Sequence, residues 1–175
     1  MPKKLTYQEL EERSQEFEKA EYKRQQSDLE LQRRYKFEHL VSGISSKFAG
    51  IGSGRIDQVI NRALSSISAF TEADRAYIFQ FKKNTTRMDN THEWCATGIE
   101  PQIENLKDMS VEEELPWFAE HIRRGDIFHV PDVSALPPEA RMEREHFEAQ
   151  NIQSLIVVAM ETKKGDIWGH ILNSE

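Results

Sequence analysis

Residues 155–159, Leu-Ile-Val-Val-Ala, form an unbroken apolar run in which three side chains are β-branched. A run this short reads as a strand with both faces covered, which places Ile156 and Val158 in the centre of a sheet. Between the apolar segment Ile127-Phe-His-Val130 and this strand lies a long excursion punctuated by Pro131, Pro137 and Pro138. An excursion that leaves a sheet edge and returns to it can roof a pocket. The rest of the chain must then supply the sheet.

Residues 1–36 read as a polar helix, free of interior Gly and Pro and dense in Glu, Lys, Arg and Gln. Leu10, Phe17 and Leu31 share a heptad phase, but Arg24 occupies the seam between them, and Ser14 and Glu21 are polar. Two readings stay open for this segment: a solvated linker helix, or a weak parallel coiled coil joining two copies of the chain. Helical spacing continues through Phe37, Leu40, Val41, Ile44 and Phe48, so the linker is assigned to 1–36 and a domain to 37–175. From residue 4 to residue 48 such a helix would reach about 65 Å at 1.5 Å per residue.

Gly50, Gly52 and Gly54 break the helix, and Ser53 suits the N-cap of the next one. Ile56, Val59, Ile60, Ala63, Leu64, Ile67 and Phe70 recur every three or four residues, the cleanest amphipathic pattern in the chain. Residues 76–81 and 92–97 read as strands joined by the polar stretch 82–90, which predicts an antiparallel pair. Pro116 fits the first position of a helix that carries Trp117, Phe118 and Ile122 and stops at Gly125. Pro137 and Pro138 open a further helix that Asn151 can close. Lys163-Lys-Gly165 turns the chain into a last strand over 167–172. The expected fold is α+β: a mainly antiparallel central sheet with helices packed on it, preceded by a long N-terminal helix.

Charge narrows the partners. The chain carries 23 basic and 30 acidic residues, a net charge of −7, while residues 1–38 are balanced at nine against nine. The domain thus has no basic surplus to neutralise phosphates, which argues against nucleic acid as a partner. The longest apolar run is far shorter than the ~20 residues of a membrane helix, so no membrane partner is expected. The N-terminus lacks the apolar core of a signal peptide, and one thiol suits a reducing compartment, so the expected location is cytoplasmic.

The segments Ala73-Asp-Arg-Ala-Tyr-Ile-Phe79, His92-Glu-Trp-Cys95, Pro116-Trp117 and Val130-Pro-Asp-Val-Ser-Ala-Leu-Pro-Pro138, leading into Ser154-Leu-Ile-Val-Val158, resemble the GAF domain. The likeness is to GAF modules of bacterial sensor histidine kinases and diguanylate cyclases, where a helical linker precedes the domain. It implies a non-enzymatic sensory or regulatory module that binds a small ligand or mediates dimerisation. The alternative is a purely structural dimerisation fragment of a larger sensor kinase or cyclic-di-GMP enzyme, with no ligand. Family members continue past the last strand into a closing helix. This sequence stops at Asn173-Ser-Glu175, so the expectation is a domain without that helix and a homodimer through the N-terminal one.

Aromatic walls with one polar anchor are what small-ligand sites use, and Trp94, Trp117, Phe128 and Asp132 are the pocket candidates on that ground. Cys95 is read as a small core residue in mid-strand rather than a reactive thiol. A lone cysteine excludes an intrachain disulfide, and the six histidines show no ligand spacing, so neither a metal nor another cofactor is expected. No nucleophile–base pair or carboxylate pair is legible, and no catalytic residue is assigned.

Overall fold

A computed structural model describes residues 6–50, 53–82, 86–124, 127–161 and 167–174. The chain falls into two units, Met1–Ser46 and Lys47–Glu175. The first holds all but the last three residues of helix α1 (Tyr7–Ala49), whose interior holds Gly43 and no proline. Tyr7, Phe17, Tyr22, Leu29, Leu31 and Tyr35 are all exposed on it. Its surface carries ion pairs one turn apart, such as Glu21 with Arg24 at 2.7 Å and Arg34 with Glu38 at 3.1 Å.

In the second unit, α2 (Ile56–Thr71) follows a 3-10 turn over Ser53–Arg55, and its N-cap is Arg55 rather than the expected Ser53. The helix stops where Glu72 turns left-handed (φ 58°), which lets Ala73 N–H reach the Ser68 carbonyl at 3.0 Å. Six strands follow: β1 (Arg75–Phe81), β2 (Arg87–Cys95), β3 (Met109–Ser110), β4 (Phe128–Val130), β5 (Ser154–Glu161) and β6 (Ile167–Ser174). They form one sheet in the order β3-β2-β1-β6-β5-β4 with every pairing antiparallel. The α+β class, the antiparallel sheet and the long leading helix are as the sequence implies.

Helix α2 covers the outer face of β1 and β2, burying Leu64, Ser68 and Ala76 almost completely. The inner face is roofed by α3 (Val111–Glu114), α4 (Pro116–Arg123) and α5 (Arg141–Glu148). Pro116 stands in the first turn of α4, where a missing N–H costs nothing. The main core lies between this roof and the sheet, with Tyr77, Phe79, Phe118, Phe128, Leu155 and Val157 all under 5% exposed.

Several boundaries move. Strand β2 begins at Arg87 instead of residue 92, so Cys95 ends the strand rather than sitting in its middle. The two-residue β3 lies between residues 98 and 110, where the sequence shows no element pattern. Strand β6 runs on to Ser174, which brings Asn173 into the sheet. The larger correction concerns β5. Leu155 and Val157 are buried, but Ile156 is only half-buried, and Val158 and Met160 are 37% and 41% exposed. The strand has one covered face, because the roof packs only on the inner side and α2 lies over β1 and β2. An apolar run cannot tell one buried face from two when the outward positions are also apolar. The glycine stop at Gly125 and the hairpin turn at 163–165 fall outside the described residues.

Candidate ligand-binding cavity

The roof and the inner sheet face leave a cavity of about 30 Å³. A single water requires about 10–15 Å³ on that measure, so side chains fill most of the interior. Its walls are apolar and come from every layer: Phe79 and Met88 from the sheet, Leu115 and Phe118 around α4, Phe147 from α5, Val157 from β5. Polar groups also line it: Tyr77, His146, Gln150 and Asn173.

These polar groups belong to one hydrogen-bonded chain. Arg75 Nη1 donates to the Tyr77 hydroxyl at 3.2 Å and to the Gln150 carbonyl at 3.3 Å. Asn173 Nδ2 donates to the same hydroxyl at 3.3 Å, and Gln150 Nε2 donates to the His146 carbonyl at 3.4 Å. Arg75, Tyr77 and Asn173 are each 2% exposed. Burial raises the Tyr77 pKa against the opposing pull of Arg75 and Asn173, so the phenol keeps its proton. Burial lowers the His146 pKa against the charges of Glu114 and Glu143, which favours a neutral imidazole. Among the described residues, Asn173 Oδ1 is buried without a hydrogen-bond partner.

The roof is tied together by Glu143, a residue that no motif marks. Glu143 on α5 is fully buried, and its Oε1 accepts from the Trp117 and Phe118 amides at 2.7 and 3.1 Å. The carboxylate thus caps the start of α4 from a different helix, where the helix dipole also favours negative charge. The available signal was spacing: Ala140, Glu143 and Phe147 recur at three and four residues, and all three are buried.

None of the four expected pocket residues lines this cavity. Trp117 and Phe128 do meet, at 5.3 Å between ring centroids and edge to face, with Phe118 5.0 Å and His121 5.5 Å from Phe128. This cluster joins α4 to β4, and Phe118 carries it to the cavity wall. Trp94 pairs with Ala76 and shares a sheet face with His92, whose Nε2 lies 3.2 Å from Asp57 on α2. A β-bulge explains the placement. The register shifts at Ile78/Phe79, leaving Thr91 unmatched, so Met88 and Asn90 face the core while His92 and Trp94 face α2. Asp132 is exposed and accepts from Ser134 N–H at 2.8 Å and Ser134 Oγ at 2.7 Å. Those two bonds lower its pKa, and they shape the turn over Val133–Ala135.

Cys95 is half-buried, and its thiol is pushed up to about 11, by burial first and the Glu93 charge second. It is therefore a thiol at neutral pH. Among the described residues no three His, Cys, Asp or Glu side chains are grouped to hold a metal, and no helix is long and apolar enough to cross a membrane.

No protein-family model matches the chain. Over 120 residues, 66% of its length, it is 32% identical to the methanogenesis regulatory histidine kinase FilI of Methanothrix harundinacea (strain 6Ac). The chain spans only 13% of that kinase. Its fold is similar to the phycocyanobilin-bound GAF domain from a cyanobacterial phytochrome, at TM-score 0.60 and 15% identity over 78% of each chain. It is also similar to the GAF domain of a phosphoenolpyruvate-protein phosphotransferase from Coxiella burnetii, at TM-score 0.58 and 10% identity over 80% of this chain and 78% of that one. At these identities the structural likeness bears on the fold alone.

Proposed function

From the premise that the fold is the GAF fold, we propose that this chain is a non-enzymatic, cytoplasmic sensory module of a larger signalling protein. A small molecule held under the roof shifts its packing, and pairing of α1 between two copies transmits the shift. The observation that carries this reading is the 32% identity with a regulatory histidine kinase of which the stretch is 13%. A segment that small is one module within a longer protein. A bound molecule shifts the module only as far as it binds one packing better than the other.

The size of the cavity narrows the occupant. A space of about 30 Å³ has no room for a tetrapyrrole, so the phytochrome's bilin is not the ligand inferred here. Trp117 and Phe128 act on the site through Phe118, and the direct contacts fall to the groups around Tyr77 and Asn173.

One observation favours the second reading, a structural dimerisation piece: most of the interior is already filled by the domain's own side chains. Native mass spectrometry of the full chain purified from its own host separates the two. A copurifying small molecule supports the sensory reading, and a ligand-free dimer the structural one. A ligand-free monomer at high micromolar concentration would remove both.

A further inference from the structure

Tyr77 and Asn173 are both almost fully buried, both line the cavity, and between them they leave two hydrogen-bonding positions unused. With Asn173 Nδ2 donating to Tyr77, the open positions are the Tyr77 O–H, a donor, and Asn173 Oδ1, an acceptor. Turning the amide over exchanges the roles without changing their sum. Tyr77 then donates to Oδ1, and the open positions are the amide N–H₂ and a lone pair on the phenol oxygen. In either arrangement the pair asks its occupant for one acceptor beside one donor. Leaving such groups buried and unmatched is costly, so they mark a place that something occupies.

We propose that the cavity is a binding site for a small uncharged molecule of about four non-hydrogen atoms or fewer that carries a donor next to an acceptor, such as a short amide, urea or a short alcohol. This rests on the sensory reading and supplies its ligand class. The size limit follows from a volume of about 30 Å³, which takes two or three water-sized atoms or slightly more when they are covalently joined. The charge preference follows from the pairing. A carboxylate or nitrate offers acceptors alone and leaves the open amide oxygen or the phenol lone pair facing another oxygen. An ammonium fails in the opposite sense. The apolar walls formed by Phe79, Phe118 and Val157 penalise any net charge further. At the ligand-efficiency ceiling for very small molecules, four atoms reach a Kd no tighter than about 40 μM, so a micromolar-to-millimolar response is expected.

The test is an NMR titration of the full ¹⁵N-labelled chain with acetamide, with acetate of the same shape, and with xenon as a purely apolar probe. Acetamide should shift the Asn173 side-chain amide and the backbone amides of Tyr77 and Leu155 saturably, with at least tenfold weaker response to acetate. Asn173→Leu should weaken the acetamide response tenfold or more, and Tyr77→Phe, which removes only the hydroxyl, should do so with the ring still filling its place in the core. Acetate saturating as tightly as acetamide, or xenon alone saturating the site, would overturn the ligand class and leave the sensory reading standing. Acetamide shifts unchanged in both variants would place its binding elsewhere and overturn the site. No saturation by any probe would remove this inference and the occupied cavity on which the sensory reading depends.

Discussion

The two faces of β5 carry nearly the same chemistry and meet different fates. Leu155 and Val157 point into the core and are at most 4% exposed, whereas Val158 and Met160 on the other face are about ten times more so. Hydrophobicity alone therefore did not decide which side became interior. The roof did, because the excursion over residues 130–154 closes on one side only. The inner face is where packing is dense and where polar groups need partners. The outer face can tolerate change.

The largest expected effect tests that contrast directly. Phe128→Ala removes a 2%-exposed ring at the centre of the α4–β4 cluster and should cost about 3–5 kcal/mol. Val158→Thr on the outer face keeps the β-branch and should stay within about 0.5 kcal/mol. Urea unfolding midpoints compare the two, and equal losses would mean that the outer face is covered after all. Next in size is Glu143→Ala, which strips the first two amides of α4 of a charged acceptor and should cost about 1.5–3 kcal/mol. Glu143→Gln, retaining one acceptor oxygen, should recover part of the loss in thermal melts.

A smaller effect should appear as a function of pH. His146 on the roof has a folded pKa below its unfolded value of about 6.5, because burial disfavours the imidazolium. The unfolded chain therefore takes up the proton first as pH falls. Stability present above about pH 6.5 should decline as pH drops toward the folded pKa. His146→Asn should flatten the urea midpoint between pH 5 and 7, and an unchanged slope would show that another group carries it. The smallest change lies away from both faces. Glu72 sits left-handed at φ 58°, so Glu72→Gly should gain up to about 1 kcal/mol in the same unfolding assay.

Periodicity and punctuation make the architecture legible in the sequence. The spacing from Ile56 to Phe70 marks α2 and Pro116 marks the start of α4, whereas α5 closes at Ala149, two residues before the expected Asn151, which is left-handed (φ 59°). The cavity was less accessible for two physical reasons. Ending the last strand at Leu172 excluded Asn173, because a polar residue near a chain terminus resembles a frayed end until its pairing with Arg75 is known. Trp94 shares its sequence parity with Met88 and Asn90, and the unmatched Thr91 reverses that parity. Such a bulge is set by the ladder between two strands and leaves no mark in either one alone. Glu143 was hidden differently: a carboxylate in a polar helix looks solvated unless the helix end it caps is already in view.

The central pairing of β1 with β6 also governs when the site can exist. Tyr77 and Asn173 touch across 96 positions of sequence, so their contact waits for a loop closure spanning nearly the whole domain. Local pieces such as α2 or the β1–β2 hairpin can form early, but non-local ladders of this kind lie late and slow the folding rate. During synthesis the open donor and acceptor therefore come together only once β6 has left the ribosome. A chain arrested before β6 would hold most of the apolar wall residues together with Tyr77 but lack Asn173, with an unpaired β1 edge prone to mispairing.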